Sequence, residues 1–540
     1  MSDTPPVADY VIIGSGSAGS VLASRLSENP KTRVTVIEAG GWDRNPWMRV
    51  PIGYAKTFNN PACNWMYQSE PEKALGNRRI FWPRGKVFGG TGTINGLVYI
   101  RGQDQDFDGW RDDFGCTGWG ADDLLPYFRK SEDYYGATGK YHAKGGPIAV
   151  SKPKDRLKLC DLLIESAVAA GLPRNDDFNS GDQLGAGYYD LTTRNAVRSC
   201  PGNEMLRRAC KQPNVTVHVN TMAMRLLFDE TGKKVVGVLA NQNGRKVRFM
   251  ARKEVLICCG AINSPQLLML SGIGPGAHLQ SMGIDVRVDQ PGVGQNLQDH
   301  MQCRLVLEAK GLRTQNDVFR SPFGRLLSGM NYVFRRRGLM TFAAGQAGIF
   351  FHSNPDQTRP DGQVLQFSYS TPKPGEPLHP FSGFTVTVSQ MRPQSRGEIS
   401  LHSPDYGAAP AIRPNYLDTD TDRAFYVDAI RFVRNILSQQ PIADAIKHEH
   451  LPGAGVQSDD DLLRYARAMG ASIFHPCGTV AMGDGMGAPL SPDLKLKGMD
   501  GVRVVDASVF PTLTSGNINA PVVAVAEKAA VLIAGDGARG

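Results

Sequence analysis

The chain of 540 residues is too long for one simple core and predicts two domains or one large composite domain. Its 41% hydrophobic and 21% charged residues are ordinary for a globular protein and exclude a disordered chain. The net charge of +8 is spread along the sequence. The dense basic run at 335–337 is interpreted as a solvated helix end rather than a patch for lipid or nucleic acid, so no nucleic-acid partner is expected.

The cysteines and the N-terminal residues indicate the cellular compartment of the protein. Nine scattered cysteines without a CxxC pair argue against a zinc site and a disulfide framework, and favour reduced thiols. The first residues lack a basic segment leading into an apolar stretch, so a secretory signal is not expected. No apolar run reaches the roughly 18 residues needed to cross a bilayer. We predict a cytoplasmic protein without a metal site, associated at most with the periphery of the inner membrane.

The chain opens with the pattern of a βαβ unit. Residues 9–13 are a short β-branched apolar run, residues 21–26 have helical periodicity, and residues 33–38 resemble a second buried strand. Strand and helix patterns of the same kind recur at 214–219, 255–258, 264–270, 502–505 and 522–533. These elements predict a nucleotide-binding domain assembled from separated segments.

The intervening segments have a different pattern. Residues 384–389 and 397–401 alternate in the manner of antiparallel strands, and helical periodicity returns over 424–437. We predict an α/β fold with a Rossmann-like cofactor-binding domain and an α+β substrate domain with a mostly antiparallel sheet. The cofactor-binding domain is assigned to residues 7–154, 206–309 and 466–540, and the substrate-binding domain to residues 155–205 and 310–465.

A dinucleotide-binding motif follows the first predicted strand. Gly14 and Gly16 allow a tight turn and a close approach of the backbone to a pyrophosphate, while Gly19 allows close packing of helix on strand. Glu38 lies about 20 residues further on, where an acidic side chain binds ribose hydroxyls and disfavours NADP. The motif leaves the choice between FAD and NAD open. The residues assigned to this cradle are Gly14, Ser15, Gly16, Ser17, Ala18, Gly19, Glu38 and Ala39.

Five later motifs, in order, resemble signatures of the glucose-methanol-choline (GMC) oxidoreductases. They occupy residues 85–102, 260–274, 291–300, 475–483 and 506–521. The resemblance runs from about residue 8 to residue 534 and implies FAD as the cofactor. Ile94 occupies the position where some members carry a histidine bonded to the flavin, so non-covalent FAD is expected. The positions that match the family's flavin contacts are Trp65, Gly89, Gly92, Asn95, Gly96, Leu97, Val98, Ala223, Asp506, Ala507, Asn519 and Pro521.

The resemblance also implies the catalytic residues. His475 matches the family's catalytic histidine, and neutral imidazole suits removal of a hydroxyl proton near neutral pH. Asn519 matches the position of its partner, whose amide can donate a hydrogen bond to the alcohol oxygen as charge develops. His300 is interpreted as structural. The implied reaction is FAD-dependent oxidation of a small-molecule alcohol to the aldehyde or ketone.

Expectations for the electron acceptor and the substrate rest on fewer residues. A dehydrogenase that uses a quinone or another acceptor is favoured over an oxidase that reduces oxygen to hydrogen peroxide. Choline-type members tend to carry a glutamate in the stretch that holds Gln346 here, so choline is not expected. Phe342, Phe350 and Phe351 fit either a pocket for an apolar alcohol or the core. The motifs are also compatible with a flavin-bound hydroxynitrile lyase or a light-driven decarboxylase, and the first βαβ unit with an NAD-dependent reductase.

Overall fold

Two seven-stranded sheets organise residues 6–373 and 376–537, which the computed structural model describes. The order in the first sheet is Val215–His218, Val34–Ile37, Ala8–Ile13, Arg245–Ile257, Val235–Gln242 and Thr221–Phe228, with Val502–Val504 also paired to Arg245–Ile257. The order in the second sheet is Ile446–Leu451, Met301–Ala309, Gly383–Gln390, Gly362–Phe367, Ala347–Phe351 and Gly185–Tyr188, with Ala471–Ser472 also paired to Met301–Ala309.

The first sheet confirms the Rossmann-like prediction. Ala8–Ile13 and Val34–Ile37 are buried along their whole length and pair in parallel, as continuous apolar runs of this kind do. Arg245–Ile257 is longer than the predicted strand at 255–258. Its last residues pair in parallel with Ala8–Ile13, whereas its first residues pair antiparallel with Val235–Gln242. The charged residues near its start stay exposed, so this part of the strand has no apolar run by which the sequence could predict it.

Helices from both ends of the chain pack together beside this sheet. Ser17–Leu26 contacts Asn519–Gly537, and Arg25 forms a bidentate ion pair with the buried carboxylate of Glu527 at 2.8 Å. Fork-to-carboxylate pairs of this kind fix geometry as well as charge. The last helix begins at Asn519, three residues before the predicted start at 522. The N-terminal glycine turn and the C-terminal motif therefore reach the same place.

The second sheet is antiparallel in every described pairing, which confirms the predicted mostly antiparallel sheet. The helices Lys158–Ala169 and Asp420–Leu437 pack against it. The strand expected at 397–401 forms at Glu398–Ser400, but it pairs with Ala411–Arg413 outside the large sheet.

Strand pairing differs in two details from the predicted domain boundaries. Met301–Ala309 and Ala471–Ser472 belong to the second sheet, although both lie in segments assigned to the cofactor-binding domain. Met301–Ala309 is almost wholly buried although it contains Gln302, Arg304 and Glu308, so its sequence pattern does not reveal which sheet it joins. The remaining division into two domains stays a prediction.

Shorter elements complete the described chain. The other helices are Tyr54–Thr57, Asp104–Phe114, Ala121–Ser131, Arg207–Ala209, Gly260–Leu270, Gly276–Ser281, Gln315–Arg320, Pro322–Arg335 and Asp459–Met469. The other strand pairs are Tyr67–Gln68 with Phe81–Trp82, Val98–Tyr99 with Asp190–Leu191, Glu132–Tyr134 with Ile148–Val150, Thr193–Arg194 with Val197–Arg198, and Ile273–Gly274 with Val288–Asp289. Among the described helices, none has the length and apolar character required to cross a bilayer.

Candidate active site

The parallel strands gather the cofactor motifs at one edge of the first sheet. Gly14, Glu38, Cys258 and Asp506 each follow the end of a parallel strand within two residues. Dinucleotides bind at this carboxyl edge in doubly wound sheets. A cavity of about 1150 Å³ opens here and extends to strands of the second sheet.

The three glycines of the first motif have different roles. Gly14 has φ +98°, and a Cβ there would lie 2.4 Å from the carbonyl oxygen of Cys258. A Cβ on Gly19 would lie 2.0 Å from the carbonyl oxygen of Gly14, so this glycine permits the packing of helix on strand. A Cβ on Gly16 would meet only the Cys258 oxygen, at 4.0 Å, and Gly16 lines the cavity. The space beside Gly16 is therefore available to a ligand, whereas the space beside Gly14 and Gly19 is filled by protein backbone.

Glu38 is fixed at the rim of this cradle. Its carboxylate accepts hydrogen bonds from the backbone N–H of Ser15 at 3.0 Å, the Ser15 hydroxyl at 2.7 Å and the backbone N–H of Gly40 at 2.8 Å. Burial raises the pKa of the carboxyl group, and these hydrogen bonds oppose that rise. A rigid acceptor beside the glycine turn suits a ribose hydroxyl.

Asp506 connects the last motif to the second signature. Its carboxylate accepts from the Ser264 hydroxyl at 2.6 Å and from the backbone N–H groups of Gly260 and Ser508, each at 2.8 Å. Burial raises the pKa of this carboxyl group, and its hydrogen bonds oppose that rise. The contacts hold the start of the Gly260–Leu270 helix against the cavity wall.

Most of the predicted cofactor residues line the cavity. These are Gly14, Gly16, Ser17, Ala18, Glu38, Ala39, Trp65, Asn95, Gly96, Leu97, Val98, Ala223, Asp506, Ala507 and Asn519. The others are Ser15, Gly19, Gly89, Gly92 and Pro521, which lie outside the lining. Ser15 supports the wall from behind, since its hydroxyl oxygen accepts from the Gly89 N–H at 3.1 Å.

Two buried histidines meet where the second sheet reaches the cavity. Antiparallel pairing of Met301–Ala309 with Ala471–Ser472 brings the ends of these segments together. The rings of His300 and His475 consequently lie with their Nδ1 atoms 3.0 Å apart. The backbone N–H of His475 donates to Asp299 at 2.6 Å. The sequence predicts a structural role for His300, whereas in the structure its ring contacts the candidate catalytic ring directly.

A chain of hydrogen bonds fixes the tautomers of both rings. The Met391 carbonyl can only accept, so Nε2–H of His300 donates to it at 3.0 Å. In a neutral ring Nδ1 of His300 must then accept, and Nδ1–H of His475 donates to it. This leaves Nε2 of His475 as an acceptor, and the Asn517 amide donates to it at 3.1 Å.

Both imidazoles are held in the neutral form. Burial lowers the pKa of His300 to about 4. Burial also lowers the pKa of His475 well below its usual value, with further lowering by His300 and Arg84. Burial raises the pKa of the nearby Asp299 carboxyl to about 6. Hydrogen bonds from Ser472 and Tyr416 oppose this rise. A neutral imidazole whose Nε2 carries the lone pair, here accepting from the Asn517 amide, is the form required of a base.

The structure places a different asparagine beside His475 from the one predicted. Asn517, rather than Asn519, contacts the imidazole, and its orientation is supported by Gln363, whose amide donates to the Asn517 Oδ1 at 3.4 Å. The side chain of Asn519 accepts from the Ser17 hydroxyl at 2.8 Å, so it ties the last helix to the glycine turn. The two asparagines lie two residues apart in one motif, which the sequence did not distinguish.

Of the two roles that the sequence allows for the phenylalanines near the expected substrate region, the structure shows the core. Phe342, Phe350 and Phe351 are buried in the core, and Gln346 accepts a long hydrogen bond from the Cys160 thiol. The cavity is lined in this region by Leu365, Phe367, Tyr369, Ile473 and Phe474. Apart from Glu38 and Asp506 at the cofactor edge, the charged lining residues in the described chain are Lys56, Arg84, Arg304, Arg325 and Glu376.

Two arginines in this lining were not predicted from the sequence. Arg304 is buried, and Nη1 of its guanidinium has no hydrogen-bond partner within the described residues. Its Nη2 donates to the carbonyl and the hydroxyl of Thr371 at 3.3 Å and 3.2 Å. Arg84 donates to the Phe474 carbonyl at 2.6 Å, next to His475. A lone arginine carries no motif, so no sequence signal marked either residue.

Comparison with known proteins identifies the family. The N-terminal GMC oxidoreductase model matches residues 8–302 and the C-terminal model matches residues 393–526. An oxygen-dependent choline dehydrogenase of Rhizobium rhizogenes is 39% identical over 98% of this chain and 96% of its own. An alcohol dehydrogenase [acceptor] of Pseudomonas putida is 37% identical over 97% and 95%.

A solved structure supports the same assignment. Pyridoxine 4-oxidase from Mesorbium loti superimposes with a TM-score of 0.87 and 30% identity, covering 97% of this chain and 98% of that one. Members of the GMC family bind FAD, and the open cradle at Gly16 with a cavity of about 1150 Å³ fits this cofactor. The chain belongs to the GMC oxidoreductase family and is an FAD-dependent oxidoreductase.

Proposed function

We propose that this protein oxidises an alcohol to the aldehyde or ketone, with Nε2 of His475 as the base. The observation that carries the proposal is the hydrogen-bond chain from the Met391 carbonyl through His300, which leaves the Nε2 lone pair of a buried, neutral His475 facing the cavity. FAD, when bound, supplies the acceptor for the carbinol hydride. Ile94 lines the cavity where some members carry a flavin-linked histidine, which supports non-covalent FAD.

Asn517 completes the proposed proton-transfer site. An alcohol hydroxyl placed between the two side chains donates its hydrogen to His475 Nε2 and accepts from the Asn517 amide. The amide then stabilises the charge that develops on oxygen as the proton leaves. The 3.1 Å contact between Asn517 and His475 supports an arrangement in which both groups reach one small polar atom.

The lining of the cavity supports a neutral or anionic alcohol with an apolar body. Leu365, Phe367 and Ile473 offer apolar surface, while Arg84 and Arg304 place positive charge in the same cavity. A quaternary ammonium would be repelled by these guanidinium groups. Choline, the substrate named for one relative, is therefore not the proposed substrate. The unpaired Nη1 of Arg304 suits a carbonyl or carboxylate oxygen.

Anaerobic addition of alcohols to the FAD-loaded protein tests the proposal. Neutral primary alcohols should bleach the oxidised flavin band, and choline should do so poorly. His475→Ala should slow bleaching by roughly 10²-fold or more while FAD stays bound. His402→Ala is the matched control, because His402 is exposed and pairs with Glu70 outside the cavity. Equal rates in wild type and His475→Ala would remove His475 from the base role.

The acceptor after FAD is a separate question. We favour a dehydrogenase that passes electrons to a quinone or a dye, because the Pseudomonas putida relative is an alcohol dehydrogenase [acceptor]. An oxidase is the second candidate, because pyridoxine 4-oxidase shares the fold at 30% identity. Hydrogen peroxide formed in stoichiometric yield in air would select the oxidase. Release of cyanide from a hydroxynitrile without bleaching would instead select a lyase.

A further inference from the structure

One helix presents its apolar side to solvent. In Pro322–Arg335 the large apolar residues occur with the spacing i, i+3, i+4, i+7, i+10 and i+11, which places them in one stripe. They are 47–78% exposed. The stripe consists of Phe323, Leu326, Leu327, Met330, Val333 and Phe334. Single exposed apolar residues are ordinary, but a contiguous stripe marks an interaction surface.

The opposite side of this helix faces the protein. Tyr332 is buried and its hydroxyl donates to the Ala196 carbonyl at 3.0 Å. Gly324, Ser328 and Asn331 are half-buried. The helix Asp459–Met469 shows the usual arrangement, with a buried Leu462 and an acidic first turn. In Pro322–Arg335, by contrast, the large apolar residues lie on the exposed side of the helix. Burial against the rest of the described chain therefore does not explain the apolar stripe.

Basic residues border the stripe at both ends. Arg320 precedes the helix, and the Arg335–Arg337 run ends it and continues beyond it. Arg320 lies 3.3 Å from Asp317, and Arg337 lies 3.5 Å from Asp155. Because the arginines outnumber these two carboxylates, the cluster has a net positive charge. Apolar surface flanked by arginine is the composition of helices that lie in the interface of anionic membranes. The basic run that the sequence predicts to be a solvated helix end is part of this surface.

The stripe lies beside one opening of the active-site cavity. Phe319 and Met340, which precede and follow the helix, line the cavity together with the exposed Arg325 of the helix itself. The same cavity contains His475. A surface that covers the stripe would therefore adjoin the path from solvent to the reaction site.

We propose that Pro322–Arg335 docks the protein on an anionic lipid bilayer, with the apolar stripe at the boundary of headgroups and acyl chains. Lipid-soluble reactants, an apolar alcohol or the electron acceptor, then enter the cavity from the membrane, and this route of entry rests on the proposed function. A second copy of the chain is a poorer occupant, because pairing two stripes would bring the arginine clusters of both copies together.

Flotation of the FAD-loaded full chain with lipid vesicles tests the docking. Wild type should float with vesicles of equal parts phosphatidylglycerol and phosphatidylcholine, and less with phosphatidylcholine alone. Raising the salt from about 0.1 M to 1 M should weaken binding, because it shortens the Debye length from about 10 Å to 3 Å. The double variant Phe323→Glu with Phe334→Glu should lose roughly 10-fold or more of the bound fraction.

Two further variants sharpen this test. Met486→Glu adds the same kind of charge at a 98% exposed apolar residue outside the helix, and it should float as wild type does. Arg335→Gln with Arg336→Gln should reduce the preference for phosphatidylglycerol without removing the stripe. A flavin spectrum and circular dichroism of each variant show that the fold is retained.

Several results would overturn the proposal. Wild type that fails to float, or a double glutamate variant that floats as well as wild type, would do so. A dimer in light scattering that the double variant dissociates, without vesicle binding, would assign the stripe to a second copy. Alcohol bleaching of the flavin is measured without lipid in the same samples. Loss of bleaching would therefore count against the proposed function alone, and loss of flotation against the docking alone.

Discussion

The two ends of the active-site cavity are built in opposite ways. The cofactor end depends on places without a side chain, such as Gly14, Gly16 and Gly19, within one short stretch of sequence. The reaction end depends on side chains from distant segments, including His300 and His475. Backbone geometry fixes the first end, whereas a chain of hydrogen bonds fixes the second.

This difference predicts how each end responds to substitution. At the cofactor end, an added methyl group meets either protein backbone or the bound ligand, so size is the sensitive variable. At the reaction end, the groups are buried and neutral, so the loss of one donor or acceptor leaves its partner unsatisfied. Changes at the reaction end should alter rate and pH dependence, and changes at the cofactor end should alter FAD affinity and folding.

The largest effect is expected at Asn517. Asn517→Ala should slow flavin reduction by alcohol about 10²- to 10³-fold, because it removes the donor that we propose to stabilise the developing charge on oxygen. Stopped-flow absorbance of the anaerobic protein measures this rate.

Asn519→Ala is the control for that variant. It removes the acceptor of the Ser17 hydroxyl and should cost about 1 kcal/mol of stability, with weaker FAD retention and a smaller change in rate. A slower reduction in Asn519→Ala than in Asn517→Ala would restore the assignment made from the sequence.

A pair of glycine variants tests the cofactor end. Gly16→Ala has a permitted φ of −62° and places its methyl group in the cavity, so the fold should persist while FAD affinity falls. An overpacking cost of about 1–3 kcal/mol corresponds to about 5- to 150-fold in affinity. Fluorescence titration of the apoprotein with FAD measures the change.

Gly19→Ala should act on folding instead. Its methyl group would lie 2.0 Å from the Gly14 carbonyl oxygen, so the helix and the strand must separate. Lower thermal stability of the apoprotein is the expected result, whereas Gly16→Ala should melt close to wild type. Equal melting temperatures for the two alanine variants would contradict the separate roles of these glycines.

The smallest expected effect concerns His300 as a positioning residue. His300→Leu removes the acceptor for Nδ1–H of His475, and loss of this tautomer-selecting hydrogen bond should slow flavin reduction about 10-fold. His300→Asn keeps an oxygen near the Nδ1 position and should recover much of the rate. A merely structural role would give no recovery in His300→Asn at equal stability.

The pH dependence follows from the lowered pKa of His475. A base must be unprotonated, and a lowered pKa keeps it so at more acidic pH. The rate of flavin reduction should therefore stay level as pH falls through 6.5, the ordinary pKa of histidine, and decline only below it. A decline centred at or above pH 6.5 in the wild-type rate profile would show that burial does not control this imidazole.

Local sequence patterns are sufficient to predict the parts of the protein that follow local rules. The glycine spacing at 14–19 and the apolar run at 9–13 predict a βαβ unit because a short turn and a parallel strand permit few other structures. The ordered GMC motifs identified the family, the FAD cofactor and the lining residue His475. These features need no knowledge of which distant segments meet.

The remaining features depend on how distant segments of the chain pack together. Strand pairing of Met301–Ala309 with Ala471–Ser472 sets His300 against His475, and the entry of the last helix brings Asn517 rather than Asn519 to the imidazole. Packing of the fold also places the phenylalanines at 342, 350 and 351 in the core and Arg304 in the cavity lining. Sequence patterns report periodicity along the chain, whereas hydrogen bonds between side chains depend on distances that only the packed fold establishes.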